Sequence, residues 1–190
     1  MKKTFRIVYI SLLVAQALTL FIVESMMPPI FITPGAKIGL TNLITVIALY
    51  TLNNKKDVFL IIFLRLLLST IFTGNLSTFM YSASGAFLSF FMMIFFKSLG
   101  KNKFSIIGIS VSGAFFHNLG QLLVASFVVR NIGVMLYLPI LSISGVGTGI
   151  FIGITSNFII KHMSKLSYFK DLERYSHTKK GAIHSKFKNY

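Results

Sequence analysis

The sequence predicts an all-α integral membrane protein, a bundle of six transmembrane helices with both termini in the cytoplasm. Hydrophobic residues make up 54% of the 190 residues, and the mean hydropathy is +0.77. This composition leaves too little polar surface to cover a soluble domain of this length. Six apolar stretches can be distinguished, and most Lys and Arg residues lie in the gaps that would face one side of a membrane.

Each apolar stretch has about 15–25 residues, and about 20 are needed to cross a bilayer. The predicted spans are Ile7–Met26, Ile38–Leu52, Val58–Phe72, Thr78–Phe96, Ile106–Val129 and Leu136–Ile160. The second and third are short, so we expect them to be sheltered inside the bundle, extended at their ends or partly re-entrant. Residues 1–165 are predicted to form one membrane domain, and residues 166–190 a basic cytoplasmic tail that is flexible or lies on the membrane surface.

The distribution of cations predicts the orientation. A cytoplasmic N-terminus places these cations inside: Lys2, Lys3, Arg6, Lys55, Lys56, Lys97, Lys101, Lys103 and Lys161. Only Lys37 and Arg130 then fall outside, as expected for a multi-pass protein of the cell membrane with both termini inside. The net charge of +15 is interpreted as basic residues that contact anionic membrane lipid headgroups or are simply solvated. Nucleic acid is not an expected partner.

Ionisable groups inside a membrane cost several kcal/mol and often mark functional sites. Glu24 lies near the outer end of the first span, and Lys37 just before the second. These two residues are predicted either to form an ion pair or to bind a ligand. Arg65 lies about 12 Å into the third span. It is expected either to face the bundle as part of the predicted substrate-binding set, or to extend its side chain to the cytoplasmic headgroups or bond to helix carbonyls.

The fifth span contains the densest polar group, His117-Asn118-Leu119-Gly120-Gln121. His117 and Gln121 are four residues apart and share one helical face, whereas Asn118 points to an adjacent face. These side chains are predicted either to bind substrate or only to bridge neighbouring helices.

The segment Pro28–Asn42 contains three of the four prolines and cannot form one continuous helix. Its glycines allow close backbone approach, so the segment is predicted to be an exterior loop, or a cap or gate over a cavity. Asn42, at its end, is added to the predicted substrate-binding set.

Small residues recur at four-residue spacing on two of the predicted helices. Gly145, Gly149 and Gly153 form a ridge in the last span on which another helix can pack closely. Ser11 and Ala15 form a shorter face in the first span, predicted to pack internally or to dock a partner.

No metal site, cofactor or catalytic residue is predicted. The histidines have no carboxylate partner at a metal-ligand spacing. No Gly-rich loop ending in Lys-Ser or Lys-Thr is present, so ATP hydrolysis would require another chain.

Several segments taken in order resemble the Gx transporter family, which is also labelled heptaprenyl diphosphate synthase component I. The segments are Glu24-Ser25 leading into Pro28-Pro29, Pro34–Asn42, Arg65–Ser69, Phe104–Gly108 and Ala114–Gln121. The resemblance extends over Ile7–Ile160.

That family in turn resembles the substrate-binding S components of energy-coupling factor (ECF) transporters. The resemblance implies a six-helix protein that captures a small molecule from outside and works with a transmembrane T component and two ATPase subunits. S components dock through an Ala-x-x-x-Ala face on the first helix, and the matching positions here are Ser11 and Ala15.

The prenyl-synthase label implies a second hypothesis. Prenyltransferases hold diphosphates through Mg²⁺ on clustered aspartates, but this chain has four acidic residues and no aspartate-rich motif. The alternative function is therefore a noncatalytic membrane accessory or scaffold subunit linked to isoprenoid synthesis.

Overall fold

A computed structural model of the protein describes residues 3–26, 39–74, 76–100 and 104–165. This part of the chain is helical and contains no strand. The α-helices are α1 (Lys3–Met26), α2 (Asn42–Thr51), α3 (Lys55–Thr73), α4 (Leu76–Ser98), α5 (Ile106–Val129) and α6 (Leu138–Ser164). A 3-10 helix, Ile132–Tyr137, leads directly into α6. The predicted tail, residues 166–190, lies outside the described residues.

Four segments are long and apolar enough to cross a membrane by length and composition. They are Thr4–Met26, Phe79–Ser98, Ile106–Val129 and Ile132–Met163. These helices indicate a membrane protein, as the sequence predicted. Helices α2 and α3 are not among the helices that are long and apolar enough to cross a membrane. Six separate spans therefore remain a prediction.

Helix α2 is shorter than the predicted second span. It has 10 residues, which give a length of about 15 Å. The helix cannot begin at Ile38 because Gly39 has a left-handed φ of +85°, and the chain turns through Leu40 and Thr41 before the helix starts. Most of α2 is buried, so this short helix is sheltered by its neighbours.

Helix α3 begins three residues before the predicted third span, at its N-terminal end. Asn54 caps it by accepting a hydrogen bond of 3.1 Å from the backbone N–H of Lys56, so the polar residues before Val58 are helical. Gly74, with φ +61°, ends it. The predicted short span is therefore extended by residues that hydropathy alone excludes.

The chain direction alternates along the bundle. Arg6 at the start of α1 forms an ion pair with Asp57 at the start of α3, and Tyr9 donates a hydrogen bond of 2.9 Å to Thr51 at the end of α2. Lys97, near the end of α4, donates to the backbone carbonyl oxygen of Leu49. We call this the basic end of the bundle. Helix α5 begins there, since Phe104 packs on Phe96, and α6 ends there, since Met163 and Tyr9 line the same groove.

The glycine ridge of α6 lies against α5. A Cβ built on Gly149 would lie 2.7 Å from Cα of Val111, and one on Gly153 would lie 2.6 Å from Cα of Ile107. A Cβ built on Gly145 would lie 2.7 Å from Nδ2 of Asn118. These spacings are below a normal carbon contact of about 3.5–4.0 Å, so α5 and α6 approach as closely as they do only because these positions lack side chains.

A buried polar cluster between four helices

Glu24 binds the backbone just before α2. The side chain is 7% exposed near the end of α1, and its Oε1 accepts a hydrogen bond of 2.5 Å from the backbone N–H of Gly39. Lys37 and the other residues between positions 27 and 38 lie outside the described residues. The ion pair between Glu24 and Lys37, and the cap or gate function of the loop, therefore stay predictions.

Asn42 and His117 meet beside Gly39. A Cβ on Gly39 would lie 3.1 Å from Nδ2 of Asn42 and 3.3 Å from Cδ2 of His117, so a side chain there would crowd both residues. Asn42 and His117 are each 3% exposed. Nδ2 of Asn42 has no hydrogen-bond partner among the described residues. Leaving a buried donor unsatisfied costs about 1–3 kcal/mol, and such a donor is unusual in a well-packed helix interface.

Arg65 contributes the positive charge of the site. It is 5% exposed on α3, and its guanidinium interacts electrostatically with the Glu24 carboxylate and with His117. The structure thus places Arg65 inside the bundle, within electrostatic range of the acidic residue of α1. Of the two sequence interpretations, the one in which Arg65 faces the bundle describes this position.

Helix α4 provides an open backbone surface for the α5 side chains. A Cβ on Gly85 would lie 3.0 Å from Cε1 of His117 and 3.0 Å from Cγ of Gln121. Both side chains therefore lie on α4 at the point where it has no side chain of its own. Sequence reasoning missed Gly85, although the run of small residues Ser82–Ala86 in an otherwise bulky apolar helix was a signal of close packing.

Asn118 is directed away from this group. Its Nδ2 donates a hydrogen bond of 2.7 Å to the backbone carbonyl oxygen of Leu141 on α6. Asn118 was predicted to bind substrate or to bridge helices, and in the structure its amide nitrogen bridges α5 and α6.

The side chains of Glu24, Asn42, Arg65, His117 and Gln121, from α1, α2, α3 and α5, are called the polar cluster. It combines a carboxylate, a guanidinium, two amides and an imidazole inside an apolar bundle, a set able to bind a small polar molecule without covalent chemistry. Among the described residues, no group of three or more His, Cys, Asp and Glu could hold a metal ion.

The Ser11 and Ala15 face of α1 is exposed in the structure. Ala15 also lines a groove of about 550 Å³ between α1, α2 and α6, whereas Ser11 lies outside this groove. The face is therefore not used for packing among the described helices, which leaves the predicted docking role open.

A family model described as heptaprenyl diphosphate synthase component I matches residues 13–159. These residues include every member of the polar cluster. No curated protein and no solved structure matches the chain.

Proposed function

Since residues 13–159 are most of its length, the chain belongs to the heptaprenyl diphosphate synthase component I family, and we propose that it is a substrate-binding membrane subunit. In this proposal it captures a small molecule from the outside and serves an uptake transporter of the ECF type. The polar cluster is the binding site, and the energy for uptake comes from other chains.

One observation carries the proposal. Nδ2 of Asn42 is a buried donor with no partner among the described residues, and it lies within a cluster that also holds Arg65 and Glu24. Residues that serve only to join helices normally satisfy each other, as Asn118 does with α6. A ligand acceptor on Asn42 would remove the cost of the unsatisfied donor, so binding would be favoured at this point.

The position of the cluster supports capture from the side opposite the basic end. Glu24 lies near the end of α1 that is remote from Arg6, and Gly39 lies at the end of α2 remote from Thr51. The excess of cations at the basic end favours a cytoplasmic location for that end. The cluster is then nearer to the outside, where a substrate for uptake would arrive.

The exposed face of α1 supports a partner in the membrane. Close helix packing in lipid depends on small side chains, and Ser11 and Ala15 are small and unburied. In the proposal a transmembrane T component docks here and connects the subunit to two ATPase subunits. Docking and ligand binding would then use different parts of one helix, because Glu24 is also on α1.

The family description favours a second candidate, a noncatalytic accessory subunit of prenyl diphosphate synthesis. A catalytic role in that synthesis is not proposed, because the described part of the polar cluster contains one carboxylate, Glu24, and clustered carboxylates hold the Mg²⁺ of a diphosphate site. In the accessory role the chain would bind a soluble prenyltransferase.

Affinity purification from the native membrane separates the two candidates. The transport function predicts that a tagged chain recovers a transmembrane protein and ATPase subunits, and that cells without these ATPases lose the uptake that depends on the chain. Recovery of a soluble prenyltransferase alone, with no ATPase, would reject the transport function in favour of the accessory function.

A further inference from the structure

Two buried atoms of the polar cluster have no hydrogen-bond partner among the described residues. They are Nδ2 of Asn42 and Nδ1 of His117. The two side chains flank one point, because a Cβ built on Gly39 would lie 3.1 Å from Nδ2 of Asn42 and 3.3 Å from Cδ2 of His117. Nδ1 and Cδ2 belong to the same imidazole ring, so one small molecule can reach both unpaired atoms.

The two atoms have opposite hydrogen-bonding roles. The amide nitrogen of Asn42 can only donate. The imidazole of His117 is hydrogen-bonded to the backbone of Gly85, and Nδ1 has no partner, so Nε2 makes this bond. Gly85 lies inside α4, where its N–H is used by the helix, and its carbonyl oxygen is therefore the acceptor. A neutral imidazole that donates through Nε2 leaves Nδ1 as an acceptor.

The charged members of the cluster compensate each other. Arg65 and Glu24 interact electrostatically and carry opposite charges. The Glu24 carboxylate also accepts the backbone N–H of Gly39. A second cation beside Arg65 would be unfavourable, so His117 is neutral. The described members of the cluster therefore carry no net charge, and an ion entering this buried site would find no uncompensated counter-charge among them.

We propose that the polar cluster recognises an uncharged amide. The amide oxygen accepts a hydrogen bond from Nδ2 of Asn42, and the amide N–H donates to Nδ1 of His117. An amide holds both groups on adjacent atoms of one rigid plane, so the two bonds form with little loss of conformational freedom. This inference rests on the proposed function, because it names the ligand class of the same site.

Two small rings of the same shape test the assignment. δ-Valerolactam has the amide N–H, whereas δ-valerolactone has an oxygen atom in its place and keeps the carbonyl. Saturation-transfer NMR titrations of the full chain in detergent give the affinity for each ring. The lactam should bind about 5- to 150-fold more tightly, because the lactone leaves Nδ1 of His117 unpaired. Pentanoate, which has a charge and no donor, should bind no more tightly than the lactone.

Substitutions of the two residues should have different effects. His117→Phe keeps a ring but removes the acceptor, so it should abolish the preference for lactam over lactone. Asn42→Ala should weaken the binding of both rings by the same factor and keep the preference, because both retain the carbonyl. His162→Phe, at an exposed position of α6, is the matched control and should change neither affinity.

The imidazole of His117 gives a direct signature that needs no substitution in the site. A chain in which the other histidines are replaced by Gln contains a single imidazole; they are His162, His177 and His184. Nitrogen-15 NMR should show the proton on Nε2, and the Nδ1 signal should shift when lactam is added but not when lactone is added. A proton on Nδ1 in the free protein, or the same shift with both rings, would overturn the proposal.

The binding measurements separate this proposal from the transport function. Equal affinity for lactam and lactone, tighter binding of pentanoate than of lactam, or no binding of lactam would overturn the amide assignment, as would a preference that survives His117→Phe. The transport function would still stand if ATPase subunits were recovered with the chain. A lactam preference that requires His117, in a chain that recovers no ATPase, would support amide recognition and reject transport.

Discussion

Replacing Gly149 by Ala tests the close contact between α5 and α6. The added Cβ would lie 2.7 Å from Cα of Val111, a backbone atom that cannot move by a change of rotamer. Since carbon atoms normally pack at about 3.5–4.0 Å, α6 would have to move by about 1 Å from α5. Overpacking of this kind costs about 1–3 kcal/mol, which corresponds to a melting temperature lower by about 2–12 °C for a chain of this size.

Gly147 gives a matched control on the same helix. No atom lies within 4 Å of a Cβ built there, so Gly147→Ala meets open space. Alanine is the better helix former by about 0.8–1.0 kcal/mol, and this variant should be as stable as the natural chain or slightly more stable. Thermal unfolding of both variants in one detergent, followed by circular dichroism, checks the difference. Equal melting temperatures for the two variants would refute the reasoning about the glycine ridge.

Three further predictions concern orientation, docking and helix bridging. In intact cells, Lys55→Cys should resist a membrane-impermeant thiol reagent and Ser77→Cys should react with it; the opposite labelling pattern would reject the proposed orientation. Ala15→Leu should prevent recovery of the transmembrane and ATPase partners while Val23→Leu, at another exposed position of α1, retains them; unchanged recovery with Ala15→Leu would exclude this face as the docking surface. Asn118→Ala should lower the unfolding free energy by about 0.6–1.7 kcal/mol through loss of its bond to α6, with ligand affinity unchanged; a loss of affinity at full stability would assign Asn118 to the binding site.

The hydropathy of the sequence was sufficient to predict the bounds of long helices such as α4 and α5. The predicted span Ile106–Val129 has the same bounds as α5, and the fourth span differs from α4 by only two residues at each end. These helices have long apolar sequences. Their bounds follow from the cost of exposing apolar side chains to water and unpaired backbone groups to lipid.

The short helices could not be placed in the same way. Helix α2 begins at Asn42 because Gly39 takes a left-handed conformation under the Glu24 carboxylate, a contact between distant residues. Helix α3 begins at Lys55, where three charged residues follow each other and lower the hydropathy although the backbone is helical. Local capping and tertiary contacts decide both boundaries.

The residues of the polar cluster could be singled out from the sequence, but their contacts in the structure could not. Glu24, Arg65 and His117 were singled out because ionisable residues are rare in a membrane, and in the structure Arg65 lies within electrostatic range of both Glu24 and His117. The different direction of Asn118 also followed from helical periodicity. The contact of His117 with Gly85 could not be derived, because it depends on how α4 and α5 cross.

Native mass spectrometry of the purified protein tests most directly whether the polar cluster binds a small molecule. The natural chain should retain a ligand of defined mass, and Asn42→Ala should bind it about 5- to 150-fold more weakly, because the substitution removes a buried hydrogen bond worth about 1–3 kcal/mol. Asn53→Ala, at an exposed position near the basic end, is the matched control and should retain the ligand fully. A ligand held equally by all three proteins, or by none of them, would contradict the assignment of the polar cluster as the binding site.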